Sequence, residues 1–478
     1  MKRRRFLQTC AGAGLLAPWA LSAPRLFAGD EEILPLDSLP LLMVDDGGIA
    51  RNSGAVRSFY PAQTLPAPVI KADRPWESGR VYHYGSVFRD ETSGEYRLWY
   101  GTPKPSKVLY ATSPDGLAWE KPALGLVEFE GGRDNNILIE DLHSASIIID
   151  AREADPARRY KLVGAQRDAY LAFCSPDGLH WTREPAPIAL PVEDTLNLTQ
   201  DPASGDYLLY HKRQVMLRGF KRRTVWLSRS ADFRRWSKPV PVFEADLTDD
   251  AWAGAGQRTD VYNMAVFPHA AGYFGLPTMF QVRATREKSA LGEGQSPDDG
   301  PIHVELATSR DGVAWKRPEP RISLLPAAEG GAFDRGAILG LSNQFVHHEG
   351  KSVLYYTGLT TTHGAPIPPK ELSIGRAAWR LHGLASLDAG AETVRLETKL
   401  LRCGRCQLSV NADATGGSLR VGLLEADGRE IPGCTLGDCQ PLVNSETAWI
   451  AQMGIPVDRP VRVVVEMSRA KLFSISAA

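Results

Sequence analysis

Three aspartates stand just ahead of, or early in, short apolar runs: Asp141, Asp194 and Asp260. Paired carboxyl groups can divide hydrolytic work, one protonating a leaving group while the other attacks or activates water. Asp194 sits between Val192-Glu193 and Thr195, a setting in which aspartate also caps turns, and Asn197 follows three residues on. Asp260 opens a run after Gln257-Arg258-Thr259, and aspartate is disfavoured in strands. Asp141 follows the polar loop Arg133-Asp134-Asn135-Asn136. Asp194 and Asp260 are therefore the leading catalytic pair, with Asp141 as a third candidate. Asn197, Tyr262, His143, Arg213, Arg335 and His83 are placed to orient a ligand, and Trp76-Glu77 offers a stacking ring with a further carboxylate. The spacing of His83 and His143 makes no ligand pattern, so no metal site is read from the chain.

Residues so far apart need a scaffold that gathers them. The phrase Ser113-Pro-Asp-Gly-Leu-Ala-Trp119 returns as Ser175-Pro-Asp-Gly-Leu-His-Trp181, Ser230-Ala-Asp-Phe-Arg-Arg-Trp236 and Ser309-Arg-Asp-Gly-Val-Ala-Trp315. A unit recurring at such intervals means an array. Asp accepts from its own turn, Gly takes positive φ, and Trp is large enough to wedge between sheets. Five repeats follow, each an apolar inner run, a turn and a run rich in Tyr and Leu. The inner runs are 85–90, 146–150, 195–199, 262–267 and 337–341; their partners are 96–100, 160–163, 207–210, 273–276 and 352–356. The fold class is all-β: a five-bladed β-propeller over 29–375, then a β-sandwich over 376–478. In a propeller every innermost strand begins near the axis, so Asp141, Asp194 and Asp260 can converge there. The proline-rich 30–80 segment is expected to wrap the propeller and supply a closing strand.

Formal net charge is −1, with 55 basic and 56 acidic residues. That balance gives no bulk pull toward nucleic acid or anionic membrane. Arg3-Arg4-Arg5-Phe6-Leu7, an apolar stretch from Ala11 to Leu21 and small residues to Ala28 have the layout of a twin-arginine signal peptide over 1–28. A periplasmic or secreted protein without stable membrane insertion is expected, since no later run reaches the roughly 18 apolar residues of a span. Cys403, Cys406, Cys434 and Cys439 cluster near the C-terminus, and in an oxidising compartment one or two disulfides are favoured over zinc.

Five blades with these turns and a trailing sandwich resemble the five-bladed glycoside hydrolases related to fructosidases and arabinanases, closest to exported bacterial family-32/43-like proteins. Asp194-Thr-Leu-Asn197 matches their third-blade phrase, Asp260-Val-Tyr262 their fourth, and Gly433 to Cys439 a stretch near the end of their sandwich. The resemblance implies a carbohydrate substrate and a glycosidase whose two carboxyl groups flank the scissile bond. It requires no cofactor and leaves room for a Ca²⁺ ion near the axis. The chain departs from the pattern at Tyr82-His-Tyr-Gly-Ser86, where relatives carry a carboxylate, and it has no Glu-Cys dipeptide. A non-catalytic carbohydrate-binding propeller on the same scaffold is the alternative.

Overall fold

The computed structural model describes residues 32–36, 39–327, 332–404, 407–456 and 458–477. The leader over 1–28 and Cys406 lie outside them. Five antiparallel sheets follow one another along the chain, and the expected strand pairs appear in each. Blade 1 comprises Tyr82–Arg89, Tyr96–Pro103, Ser106–Ser113 and Ile137–Glu140; blade 2 comprises His143–Ile149, Tyr160–Gln166, Ala169–Ser175 and Thr182–Arg183. Blade 3 has Leu196–Gln200, Tyr207–Leu217, Phe220–Ser230 and Val240–Phe243. Blade 4 runs from Arg258–His269 and Gly272–Val282 through two short third-strand pieces, Ile302–Glu305 and Ala307–Ser309, to Trp315–Lys316 and Ser323–Leu325. Blade 5 has Ala337–Leu341, Lys351–Leu359 and Leu372–Arg380, and its outer edge is closed by Gln63–Thr64 from the N-terminal segment. The five inner strands pack in sequence and the fifth returns to the first, which closes the ring.

The repeated phrase explains the blade-to-blade packing. In each copy the Ser hydroxyl accepts from the Asp N–H, and in the three copies with glycine also from the Gly N–H, as Ser113 does from Asp115 (3.3 Å) and Gly116 (2.9 Å). The Asp carboxylate accepts from the next two N–H groups, Leu117 (2.8 Å) and Ala118 (2.9 Å) in blade 1, and likewise at Asp177, Asp232 and Asp311. The Trp then packs into the interface with the preceding blade: Trp119 beside Tyr355, Trp181 in the cluster holding Trp99, Trp236 against the blade 2–3 cluster, Trp315 beside Tyr210. Blade 5 lacks the phrase, and Trp379 fills the equivalent interface with blade 4.

Polar bonds lock the centre of the ring. The Asn343 amide donates to Ser146 Oγ (3.1 Å) and to the carbonyls of Ile147 (2.7 Å) and Leu198 (2.9 Å), joining three blades. His83 Nε2 meets Ser342 Oγ at 2.7 Å.

Apart from two small two-stranded sheets, Ile33–Pro35 with Leu400–Arg402 and Ala284–Thr285 with Asp298–Asp299, the remaining strands form two sheets around one apolar core. One runs Val56–Phe59, Ala385–Ala389, Ala470–Ala477, Gln407–Asp413, Glu446–Gly454; the other runs Ile49–Asn52, Val394–Thr398, Arg462–Ser468, Ser418–Leu424, Leu442–Val443. The boundary expected after residue 375 falls inside the blade 5 strand Leu372–Arg380, and the sandwich borrows edge strands from residues 49–59. The reason is edge protection, because an unpaired sheet edge leaves its N–H and C=O groups without partners. Cys403 and Cys439 are buried in this core and Cys434 packs against it.

Candidate functional site

A cavity of about 1520 Å³ opens at the end of the ring where the inner strands begin. Tyr82 and Tyr84 reach it from blade 1, His143 from blade 2, Asp194 from just before blade 3, Tyr262 from blade 4 and Leu339 from blade 5. Its wall also carries Phe129, Glu140, Asp141, Glu193, Glu293, His363 and Lys370.

Asp194 is the best-anchored carboxylate among them. Its carbonyl accepts from Ser144 Oγ of blade 2, and the Thr195 hydroxyl donates to the Tyr262 carbonyl at 3.1 Å, fixing the turn between blades 2 and 4. Lys212, buried on the projecting second strand of blade 3, forms an ion pair with the Asp194 carboxylate. Burial pushes that carboxyl up, but the Lys212 ammonium prevails and holds it at about 2. Asp194 is therefore ionised at any physiological pH. Lys212 also lies 5.0 Å from the centre of the Tyr262 ring, as in a cation–π contact.

Two imidazoles flank this pair. Tyr82 Oη accepts from Ser144 N–H (3.3 Å) and shares a hydrogen bond with His143 Nδ1 (2.7 Å). Burial holds His143 down to about 4 despite Asp194 nearby, so it is neutral. His363 donates from Nδ1 to the Asp298 carbonyl (3.2 Å) and accepts at Nε2 from the Tyr262 hydroxyl (3.3 Å). Burial pushes it, too, down to about 4.

Of the residues singled out from sequence, Asp194, Asp141, His143 and Tyr262 share this cavity. Asp260 does not line it, and the expected face-to-face pair with Asp194 is absent. Asp260 is fully buried, with its carboxylate accepting from Arg223 Nη1 (2.8 Å) and Arg258 Nε (3.1 Å). Asp298 completes the cluster with Arg223 (2.7 Å) and Arg258 (3.0 Å). Burial raises the Asp260 pKa while the two guanidiniums oppose that shift. The cause is the hairpin Tyr207–Leu217/Phe220–Ser230, longer than its apolar core suggests, which brings Arg223 onto Asp260. Arg223 also lies over the Tyr262 ring at 5.8 Å.

The other candidates hold structure. Asn197 accepts from Val266 N–H across blades (3.2 Å), and His83 is sealed at the axis. Arg213 stacks on Trp226 (4.6 Å), and exposed Arg335 donates to the Thr360 carbonyl (2.9 Å). Trp76 donates to Asn136 (2.7 Å). Glu77 is buried and accepts from Tyr100 (2.7 Å) and Lys121 (2.7 Å). Tyr82 and Tyr84 were legible as same-face residues of an inner strand, since side chains two apart point the same way. His363 and Lys370 lie in the loop leaving blade 5's second strand, where no local pattern marks them.

Among the described residues no group of three or more His, Cys, Asp or Glu side chains is placed to hold a metal.

Ring and cavity together define a five-bladed propeller with one carboxylate-bearing axial cavity. No family model and no curated protein matches the sequence. Among solved structures, the chain is similar to an N-acetylgalactosamine deacetylase from F. plautii in complex with blood group B trisaccharide (17% identity, 70% of this chain and 96% of that one, TM-score 0.44). It is similar to a thermostable family-43 glycoside hydrolase (15%, 66% and 90%, 0.42). It is also similar to an α-L-arabinofuranosidase from Podospora anserina in complex with cellotriose (11%, 68% and 98%, 0.41).

Proposed function

We propose that this chain is an exported carbohydrate-active enzyme that hydrolyses a glycosidic bond in the axial cavity. The observation that carries the reading is Asp194, a carboxylate kept ionised by Lys212 in a cavity walled by tyrosines and neutral histidines. Aromatic faces suit the apolar faces of sugar rings, and a neutral imidazole such as His143 suits a hydroxyl.

A carboxyl held near 2 cannot be the proton donor, so Asp194 is the nucleophile or the base. The donor is drawn from the other cavity carboxyls, Glu140, Asp141, Glu193 and Glu293. One of these protonates the glycosidic oxygen as its bond to the anomeric carbon breaks. Asp194 stabilises the positive charge developing at that carbon, directly or through the water it activates. The twin-arginine layout of residues 3–7 supports export of the folded protein to the periplasm or beyond.

The burial of Asp260 away from the cavity favours the second reading, a propeller that binds saccharide without cleaving it. The two separate in one assay: reducing-sugar release from aryl glycosides and polysaccharides, with Asp194→Asn and the four donor variants alongside. Turnover lost in Asp194→Asn and in one donor variant establishes the glycosidase. Saccharide binding that persists in every variant, with no turnover in any, establishes the binding protein.

A further inference from the structure

We propose that the cavity receives the anionic group of an acidic saccharide, a carboxylate or a sulfate ester, between Arg80 and Lys370; this rests on the carbohydrate reading above. Lys370 is only 6% exposed, yet it lines the cavity. Its ammonium donates to the carbonyls of Gly294 (2.6 Å) and His363 (2.8 Å). An ammonium has three N–H groups, so one is left for the cavity.

Buried cations elsewhere in the chain are answered by carboxylates: Lys161 by Glu153 (2.6 Å), Arg222 by Asp250 (2.8 Å), and Arg223 and Arg258 by Asp260 and Asp298. Among the described residues the buried cations without an ion pair are Lys107 and Lys370, and both line this cavity. Lys107 has Glu140 as its cross-strand neighbour. Lys370 has only Asp299 near it, and that carboxylate is taken by Arg286 (3.0 Å) and the Gly364 N–H (2.8 Å).

Arg80 stands on the same wall and makes no side-chain hydrogen bond or ion pair among the described residues. Burial, then the charge of Arg80, bring Lys370 down to about 8. Two adjacent cations with no ion pair of their own are costly to hold, and a bound anion lowers that cost. The loops that set this geometry interlock, since Ile367 N–H donates to the Glu293 carbonyl (3.1 Å). The Glu293 carboxyl itself pairs with neither cation.

Calorimetric titration tests this with three oligosaccharides of equal length: a galacturonate, a sulfated galactan and a neutral galactan. The full chain, Arg80→Gln and Lys370→Met are compared, with circular dichroism confirming the fold of each. At least one anionic probe is expected to bind roughly tenfold or more tighter than the neutral one. Whichever anion is preferred distinguishes carboxylate from sulfate. That preference is expected to fall to within about twofold in each variant. If Lys370→Met fails to fold, Arg80→Gln, on a half-buried residue, carries the test alone. Neutral and anionic probes bound equally well would overturn the anion pocket and leave the carbohydrate reading standing. A preference that survives in Arg80→Gln would overturn the assigned location. If none of the three probes binds, the anion pocket is overturned, and the reducing-sugar assay above decides the carbohydrate reading separately.

Discussion

Asp194 owes its ionised state to Lys212, and that dependence is open to measurement. Replacing the carboxylate in Asp194→Asn keeps shape but removes the charge, and turnover is expected to fall roughly 10²–10⁴-fold. Lys212→Met acts differently. With the ammonium gone, the strongest influence holding the Asp194 carboxyl down is lost, and its pKa rises from about 2. The acid limb of the kcat/KM profile should therefore move to higher pH, a shift that a merely structural lysine would not produce. An unmoved limb would exclude Asp194 as the group titrating there. At this scale an aspartate directly before a short apolar run is conspicuous in sequence, and Asp194 does line the cavity. The same signal misled at Asp260, whose setting looks the same until Arg223 arrives from a hairpin whose length no local pattern announces.

The recurring turn shows which element-level features were legible and why. Its Ser, Asp and Gly are local in effect, and the hydrogen bonds they make lie within three residues, so spacing alone exposes them. What spacing cannot show is that the glycine also seats a ring from the preceding blade. The Gly116 carbonyl accepts from Tyr355 Oη (2.7 Å), Gly178 from Trp99 Nε1 (2.8 Å) and Gly312 from Tyr210 Oη (3.0 Å). A Cβ on Gly116 would sit 2.4 Å from that Tyr355 oxygen, whereas one on Gly219 would meet nothing within 4 Å. Both glycines have positive φ, +71° and +79°. Gly219→Ala should thus cost about 1–2 kcal/mol in urea unfolding, the conformational penalty alone. Gly116→Ala should cost about 1–3 kcal/mol more, because the clamp between blades 5 and 1 is overpacked. Equal losses would show that the turn is not a clamp. The short strands at 49–52 and 56–59 escaped sequence reading for the opposite reason: their partners, at 394–398 and 385–389, are more than three hundred residues away.

At the scale of the molecule, one segment belongs to both halves. Residues 49–59 complete the two sandwich sheets and Gln63–Thr64 close blade 5, so deletion through residue 64 should abolish cooperative unfolding of propeller and sandwich alike, as read by calorimetry. The same interior also sets the protein's response to acid. His83, His211, His269 and His363 are all buried, and burial lowers their pKa values to about 3, 4, 4 and 4. An unfolded chain takes up those four protons near pH 6.5, whereas the folded chain resists them until about 4. Stability is thus complete above about 6.5 and falls as pH drops from there, by about 1.4 kcal/mol per pH unit for each imidazole. Four such groups approach a slope on the order of 5 kcal/mol per pH unit, enough to exhaust a typical stability within two or three units. Carboxylates with lowered pKa values, such as Asp194, add their own losses only below the ordinary carboxyl range of about 4. Urea midpoints measured from pH 7.5 to 4.5 should therefore begin to fall near 6.5. His269→Leu should flatten that fall by about one proton, since neither ring nitrogen of His269 has a hydrogen-bond partner among the described residues. Midpoints that stay level down to pH 4 would mean that the folded protein protonates these rings, and that the propeller interior admits water.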